Sequence, residues 1–117
     1  MIRLASSALL MTLLLAACGG SSLPPAKVAD TQSSISAAAA VGAEQNPQAA
    51  LHLKMARDQL KQGQALIDDD KDDEARLVLE RADADAQLSL MITREAQASA
   101  NVKKAQADVQ GLQTKNQ

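Results

Sequence analysis

The sequence predicts an all-α protein: an antiparallel, coiled-coil-like helical hairpin with an additional N-terminal helix and a long third helix. From residue 26 onward, alanine and straight-chain residues that favour helices dominate, with almost no β-branched runs. Two later segments space their apolar residues by alternating steps of three and four, as a helical seam does. Because aromatic residues make up 0% of the 117 residues, small aliphatic side chains must fill the core, and the helices must pack closely.

Residues 1–17 have the form of a lipoprotein signal peptide. The apolar run at residues 4–15 follows one positive charge and is shorter than the roughly 20 residues of a membrane-spanning helix. The segment Leu15, Ala16, Ala17, Cys18 resembles the lipobox of bacterial lipoproteins. That resemblance implies cleavage between Ala17 and Cys18 and a covalent lipid on the Cys18 sulfur.

Residues 18–25 are then expected to form a lipidated cysteine and a flexible tether. Glycine and serine supply the flexibility, and two prolines stiffen the end of the tether. The residue after Cys18 is Gly19 and not aspartate, which in the sorting rule of enteric bacteria favours the outer membrane. We therefore expect a lipid anchor in the outer membrane, with the protein facing the periplasm.

Residues 26–117 form the predicted alanine-rich helical domain. Its helices are expected at about 26–41, 47–68 and 72–110. Gly42 suits the left-handed residue that ends a helix. Asn46 can cap the second helix and Pro47 suits its first turn. The chain around Gly42 either kinks, so that residues 25–69 form one broken arm, or reverses to build a three-helix bundle; we expect the kink.

An acidic run, residues 68–74, separates two matching seams and predicts the tight turn of the hairpin. The first seam is Ala49, Leu53, Ala56, Leu60, Gly63 and Ile67. The second is Ala75, Leu79, Ala82, Ala86, Ser89, Thr93, Ala96 and Ala100. The third helix is the longer one, so its distal half needs cover from elsewhere.

Four apolar residues of the third helix point in several directions around it: Leu88, Leu90, Met91 and Ile92. A helix that is apolar all round is buried on more than one side. We expect the first helix to pack there, since bundle cores have this pattern. The alternative is a partner surface, used for self-association or for another envelope protein.

The acidic run does not match a calcium-binding loop. Asp68, Asp70 and Asp72 fit the first ligand positions, but Asp73 stands where the loop needs glycine and Leu79 where it needs glutamate. The single histidine has no second histidine or free cysteine with which to bind a metal. We expect no metal site and no cofactor other than the lipid on the cysteine.

The sequence also contains no nucleophile elbow and no glycine-rich phosphate loop, so we expect no catalytic residues. His52 is expected to lie on a helix surface. A formal net charge of −2 and the lack of aromatic residues exclude nucleic acid as a partner.

The chain resembles a family of small alanine-rich bacterial envelope lipoproteins that is classed as a domain of unknown function. The resemblance covers roughly residues 26–100 and rests on Gly42-Ala43, Asn46-Pro47, Ala56 with Leu60, and Ala75, Leu79, Ala82, Asp85-Ala86. Members of that family are helical and are sometimes fused to an OmpA-like peptidoglycan-binding domain. The resemblance implies a fold and a location but no activity.

We therefore expect a non-catalytic periplasmic lipoprotein with a structural or adaptor role in the cell envelope. Its partners would be the membrane, through the lipid anchor, and an envelope protein, a peptidoglycan-associated protein or a second copy of the chain. The alternative is a chaperone-like binder of envelope proteins, which would hold an exposed segment on the alanine-lined face between its helices.

Overall fold

The computed structural model describes residues 24–115, and this part of the chain is helical with no strand. The elements in chain order are α1 (Pro24–Ala40), a 3-10 turn (Ala43–Gln45), α2 (Pro47–Asp68) and α3 (Asp72–Lys115). The 44-residue α3 packs against both α2 and α1. The predicted all-α class, with a helical hairpin, an additional N-terminal helix and a long third helix, is confirmed.

The N-terminus of α2 is capped by a side chain. Asn46 Oδ1 accepts hydrogen bonds from the backbone N–H of Gln48 at 3.0 Å and of Ala49 at 3.2 Å. Pro47 occupies the first turn, where its missing N–H costs no intrahelical hydrogen bond. The helix therefore begins where the local sequence supplies both a cap and a residue with a suitable backbone angle.

A tight turn joins α2 to α3 in the acidic run. The Lys71 N–H donates to Leu66 O at 2.8 Å, and Asp70 has a left-handed backbone with φ of 59°. Aspartate tolerates this conformation better than most residues do. The first turn of α3 is acidic, with Asp72 and Asp73 near the positive end of the helix dipole. The turn therefore both reverses the chain and starts the next helix.

The chain also reverses between α1 and α2, and the predicted kink is wrong. The hydroxyl of Thr31 lies 3.2 Å from Leu79 O, and Gln97 Nε2 donates to Val41 O at 2.9 Å. As the chain advances from residue 31 to residue 41, its neighbours on α3 also advance from residue 79 to residue 97. Helix α1 is therefore parallel to α3, whereas α2 is antiparallel to it, and the three helices form one bundle.

The physical reason for the reversal lies in the connection itself. Gly42 adopts a left-handed conformation with φ of 86°, and the 3-10 turn that follows has Ala43 fully buried. Burial of Ala43 holds the corner against the bundle. The reversed path also places Ile35 and Ala38 in the core, so the same stretch of α3 receives cover from two helices.

Small side chains form most of the core and permit close contacts between helices. Its buried apolar members are Ile35, Ala38, Ala43, Ala49, Leu53, Ala56, Leu60, Ala75, Leu79, Ala82 and Ala86. The two helices of the hairpin approach closely at Gly63, where an added Cβ would lie 2.6 Å from Leu79 Cδ2. Glycine is therefore required there by space, because Leu79 is itself fully buried.

The last part of α3, residues 94–115, is exposed along its whole length and projects from the bundle. At 1.5 Å per residue, this projection is about 33 Å long. The helix continues through Gly111 and beyond the predicted end at residue 110. Ala96 and Ala100 were expected to continue the core seam, but both are exposed. The reversal explains this difference, because α1 and α2 cover the same half of α3.

Candidate functional site: the outer face of the third helix

Two buried hydroxyl groups, those of Ser89 and Thr31, join the helices. Ser89 Oγ donates to Ala49 O at 2.8 Å, which connects α3 to the first turn of α2. The Thr31 hydroxyl lies 2.8 Å from Lys27 O and within hydrogen-bonding distance of α3. Both side chains are 0% exposed. These groups therefore stabilise the bundle and are not available as nucleophiles.

The histidine also lies between two helices. His52 Nδ1 is 2.9 Å from Asp85 Oδ1, and Gln59 Nε2 donates to Asp85 Oδ2 at 2.9 Å. His52 was expected on a helix surface, but it is half-buried against α3. Both oxygens of the Asp85 carboxylate accept hydrogen bonds from α2, so this group joins the two helices of the hairpin.

The acidic turn is exposed throughout residues 68–74. Lys71 Nζ lies 3.8 Å from Asp69 Oδ2, a distance and exposure that make this ion pair weak.

Among residues 24–115, no group of three or more His, Cys, Asp or Glu side chains is placed to hold a metal ion. In the same range, no helix combines the length and apolar content needed to cross a bilayer.

One acidic group outside this turn has a shifted pKa. A hydrogen bond from Lys54 Nζ lowers the pKa of Asp58, which lies one turn further along the exposed face of α2. Both side chains are more than half exposed. The shift therefore reflects an ordinary surface ion pair one helical turn apart, and it does not indicate a reactive group.

The four residues of the candidate partner surface divide into two pairs. Leu90 and Ile92 are half-buried and pack against the core. Leu88 is 41% exposed and Met91 is 66% exposed, on the face of α3 that points away from the bundle. The structure therefore brings Leu88 and Met91 together on one free surface and assigns the other two to packing.

Most of this free surface lies outside the predicted site residues, because the surface continues along the projection. Eight exposed residues of α3 follow one another by alternating steps of three and four; we call them the outer seam. They are Leu88, Met91, Glu95, Ala98, Val102, Ala105, Val109 and Leu112. Val102, Ala105 and Val109 line a shallow open groove on this face. The sequence contains this 3–4 spacing. It also contains the core seam on the same helix, and the sequence alone does not tell which of the two rows is buried.

Ala17 and Cys18, the predicted cleavage and lipidation residues, lie outside the described residues 24–115. The same holds for the predicted signal peptide and for most of the tether. Their roles stay predictions.

Fold and surface together define the class of protein: a small three-helix bundle from which one helix projects as a rod with an apolar face. The family model DUF4398, described as a domain of unknown function, matches residues 26–112, and the chain belongs to this family. No curated protein and no solved structure matches the chain. The predicted membership of a domain-of-unknown-function family is thus confirmed, and the family description names no activity.

Proposed function

We propose that the protein is a non-catalytic lipoprotein of the bacterial cell envelope, with a structural or adaptor role. In this proposal, the lipid on Cys18 anchors it in the outer membrane and the helical domain faces the periplasm. The observation that carries the proposal is that α3 extends from one end of the bundle to a free far end with one apolar face.

The two ends of the described chain lie far apart. Thr31 lies beside Leu79, and Pro24 and Asp72 precede them by the same number of residues, so α1 and α3 start at the same end of the bundle. The 44 residues of α3 make it about 66 Å long. An anchor placed before Pro24 would therefore hold the tip of α3 several tens of ångströms away. A spacer or adaptor needs this separation.

The polar chemistry of the bundle supports a non-catalytic role. The Asp85 carboxylate is held by His52 and Gln59, and the buried hydroxyl of Ser89 bonds to the α2 backbone. Each of these groups has a structural partner in another helix. The outer seam, in contrast, is exposed and mostly apolar, so it is free for interaction.

A chaperone-like binder stays the alternative proposal, but its client would bind to a different surface from the one expected from the sequence. The alanine-lined face on which it was expected to hold a client is buried, with Ala49, Ala56, Ala82 and Ala86 all 0% exposed. A client would have to use the outer seam instead. A chaperone-like protein should delay aggregation of an unfolded outer-membrane protein at equimolar amounts, and an adaptor should leave the aggregation rate unchanged.

The anchor is tested by Cys18→Ala in a bacterium that makes lipoproteins. Without the sulfur, no diacylglyceryl group can be attached, so we expect uncleaved precursor and no incorporation of labelled fatty acid. Ser22→Ala, four residues further along the predicted tether, is the matched control and should be labelled like the wild type. Fatty-acid labelling of the Cys18→Ala chain would contradict the proposed anchor.

The adaptor role is tested by photo-crosslinking in intact cells, with the probe at Met91 and a control probe at Lys103. Both residues are exposed on α3, but only Met91 belongs to the outer seam. We expect a defined adduct from Met91 and a much weaker one from Lys103. An adduct heavier than two chains identifies an envelope partner, and one of twice the monomer mass supports a structural role through self-association. Equal labelling at both positions would contradict a partner surface.

A further inference from the structure

The outer seam has the repeat of a two-stranded coiled coil. Steps of three and four give position a to Leu88, Glu95, Val102 and Val109 and position d to Met91, Ala98, Ala105 and Leu112. These residues are exposed, with Val102 at 56% and Leu112 at 62%. The largest exposed apolar patch on a monomer is often functional, and this row is a candidate for such a patch.

The period of the seam indicates what kind of partner covers it. On a straight α-helix, a seven-residue repeat drifts by about 20° per heptad, and a left-handed supercoil with a second helix of the same period removes the drift. The partner is therefore a helix with its own a and d positions over the same length. A second copy of α3 has that length and that period.

We propose that the outer seam pairs with the outer seam of a second copy, antiparallel, about a two-fold axis near residue 100. This inference concerns α3 alone and does not depend on the envelope location or on the lipid. It deepens the structural role by naming the partner.

The antiparallel arrangement follows from Glu95, the one charged residue of the seam. A parallel pair would place Glu95 directly against Glu95 of the second copy, and like charges in such a layer are destabilising. The antiparallel pair places it against Ala105, whose small side chain leaves the carboxylate room to reach water. In the same register, Leu88 lies against Leu112, Met91 against Val109 and Ala98 against Val102.

The charges beside the seam favour the same register. The residue just before each a position is called position g. In an antiparallel coiled coil, the g residues of one helix lie next to the g residues of the other helix. Here Arg94 of each copy meets Asp108 of the other, while Asn101 meets Asn101. The two-fold axis produces two such ion pairs. The parallel arrangement would bring Arg94 next to Ser99 instead, with no opposite charge.

The size of the contact predicts reversible pairing. The seam is about 36 Å long, and a helix face about 10 Å wide gives roughly 700 Å² over both copies, below the roughly 1,000 Å² of a stable interface. The monomer bundle must therefore persist on dilution. Pairing should rise with protein concentration.

Two cysteine variants of the full chain test the pairing and its direction: Leu88→Cys and Leu112→Cys. Cells that express both variants, with tags of different size, are treated with a mild oxidant. In the antiparallel pair, residue 88 of one copy meets residue 112 of the other, so we expect a mixed disulfide. Each variant expressed alone should remain at the background set by the wild-type chain, which contains Cys18.

Thr114→Cys in place of Leu112→Cys is the matched control, because it lies at nearly the same height on another face of α3. We expect its mixed disulfide with Leu88→Cys to form at least several-fold more slowly. A disulfide from either single variant alone would show a parallel pair and overturn the proposal. Equal rates for positions 112 and 114, or no disulfide in any combination, would overturn it as well.

A charge exchange tests the register independently of cysteine geometry. Arg94→Asp alone places two aspartates together, and Asp108→Arg alone places two arginines together. Each is expected to lower the initial rate of the mixed disulfide several-fold, and the double variant should restore it. Both residues are exposed, so the monomer fold should tolerate the changes. Single and double variants with the same rate would overturn the register.

Discussion

At the scale of single residues, the bundle depends on the absence of side-chain volume at particular contacts. Gly63 of α2 faces the fully buried Leu79 of α3, and the space that a Cβ would need is occupied by Leu79 Cδ2 and Cγ. A core without aromatic residues obtains its contact area by bringing helix backbones together. A single methyl group at this position therefore opposes the packing of the hairpin.

We predict that Gly63→Ala destabilises the bundle. The added Cβ would lie 2.6 Å from Leu79 Cδ2 and 2.7 Å from Leu79 Cγ, and overpacking of this kind costs about 1–3 kcal/mol. The better helix propensity of alanine offsets up to about 1 kcal/mol of this loss. We expect a net decrease of about 1 kcal/mol in the free energy of unfolding, measured by urea denaturation followed by circular dichroism.

Gly111→Ala is the matched control for that variant. Among the described residues, nothing lies within 4 Å of a Cβ built at Gly111. The substitution should therefore act only through the higher helix propensity of alanine. We expect it to raise helicity near the end of α3 without lowering the urea midpoint. If Gly63→Ala and Gly111→Ala shifted the urea midpoint in the same direction, the loss of stability in Gly63→Ala could not be caused by the close contact between Gly63 and Leu79.

At the scale of the elements, helix boundaries follow from local chemistry. We predict that Asn46→Ala lowers the free energy of unfolding by about 1 kcal/mol, because the Gln48 and Ala49 N–H groups lose the side-chain acceptor. Asn46→Asp keeps an acceptor at the same place and should stay within a few tenths of a kcal/mol of the wild type. Urea midpoints of the three proteins check this, and equal losses in both variants would argue against capping.

The same locality explains which boundaries the sequence could predict. Asn46 and Pro47 act on the backbone within one turn, and so do the acidic residues at the start of α3, so α2 and α3 begin where these residues stand. The end of α3 was less predictable. Gly111 can stop a helix only if the chain leaves the helical conformation there, and in this structure it does not.

The direction of α1 could not be predicted from local sequence. Gly42 permits a left-handed residue, and a left-handed residue is compatible with both a kink and a reversal. The outcome depends on distant contacts: Ala43 buried at the corner, Thr31 beside Leu79, and Gln97 beside Val41. These pairs are separated by dozens of residues in the chain, so no local pattern indicates them.

The outer seam was missed for a different reason. In the sequence, Leu88 and Met91 cluster with Leu90 and Ile92, and a cluster of apolar residues all round a helix indicates burial. Only the structure separates the two pairs, because it shows which side of α3 the other helices occupy. Once α1 and α2 are placed, the remaining residues on the far side form a continuous row down to Leu112.

At the scale of the whole molecule, α3 is one helix with two different surroundings. Its first half, residues 75–93, packs against α1 and α2, and its second half is exposed. Most helical stability in proteins comes from tertiary packing. The projection therefore depends on its own intrahelical hydrogen bonds in the monomer, and on a partner helix when it is paired.

We predict that amide hydrogen exchange divides α3 at about residue 94. In dilute protein, amides of residues 75–93 should exchange only on unfolding of the bundle, whereas those of residues 98–115 should exchange far faster through local opening. Raising the protein concentration should slow exchange in the second half, because pairing of the outer seam covers the exposed side of α3 from Leu88 to Leu112. Arg94→Asp should weaken this dependence on concentration, because it replaces an ion pair between the two copies with two aspartates. Uniform protection along α3 in dilute protein would contradict an unsupported projection, and exchange that ignores concentration would contradict pairing.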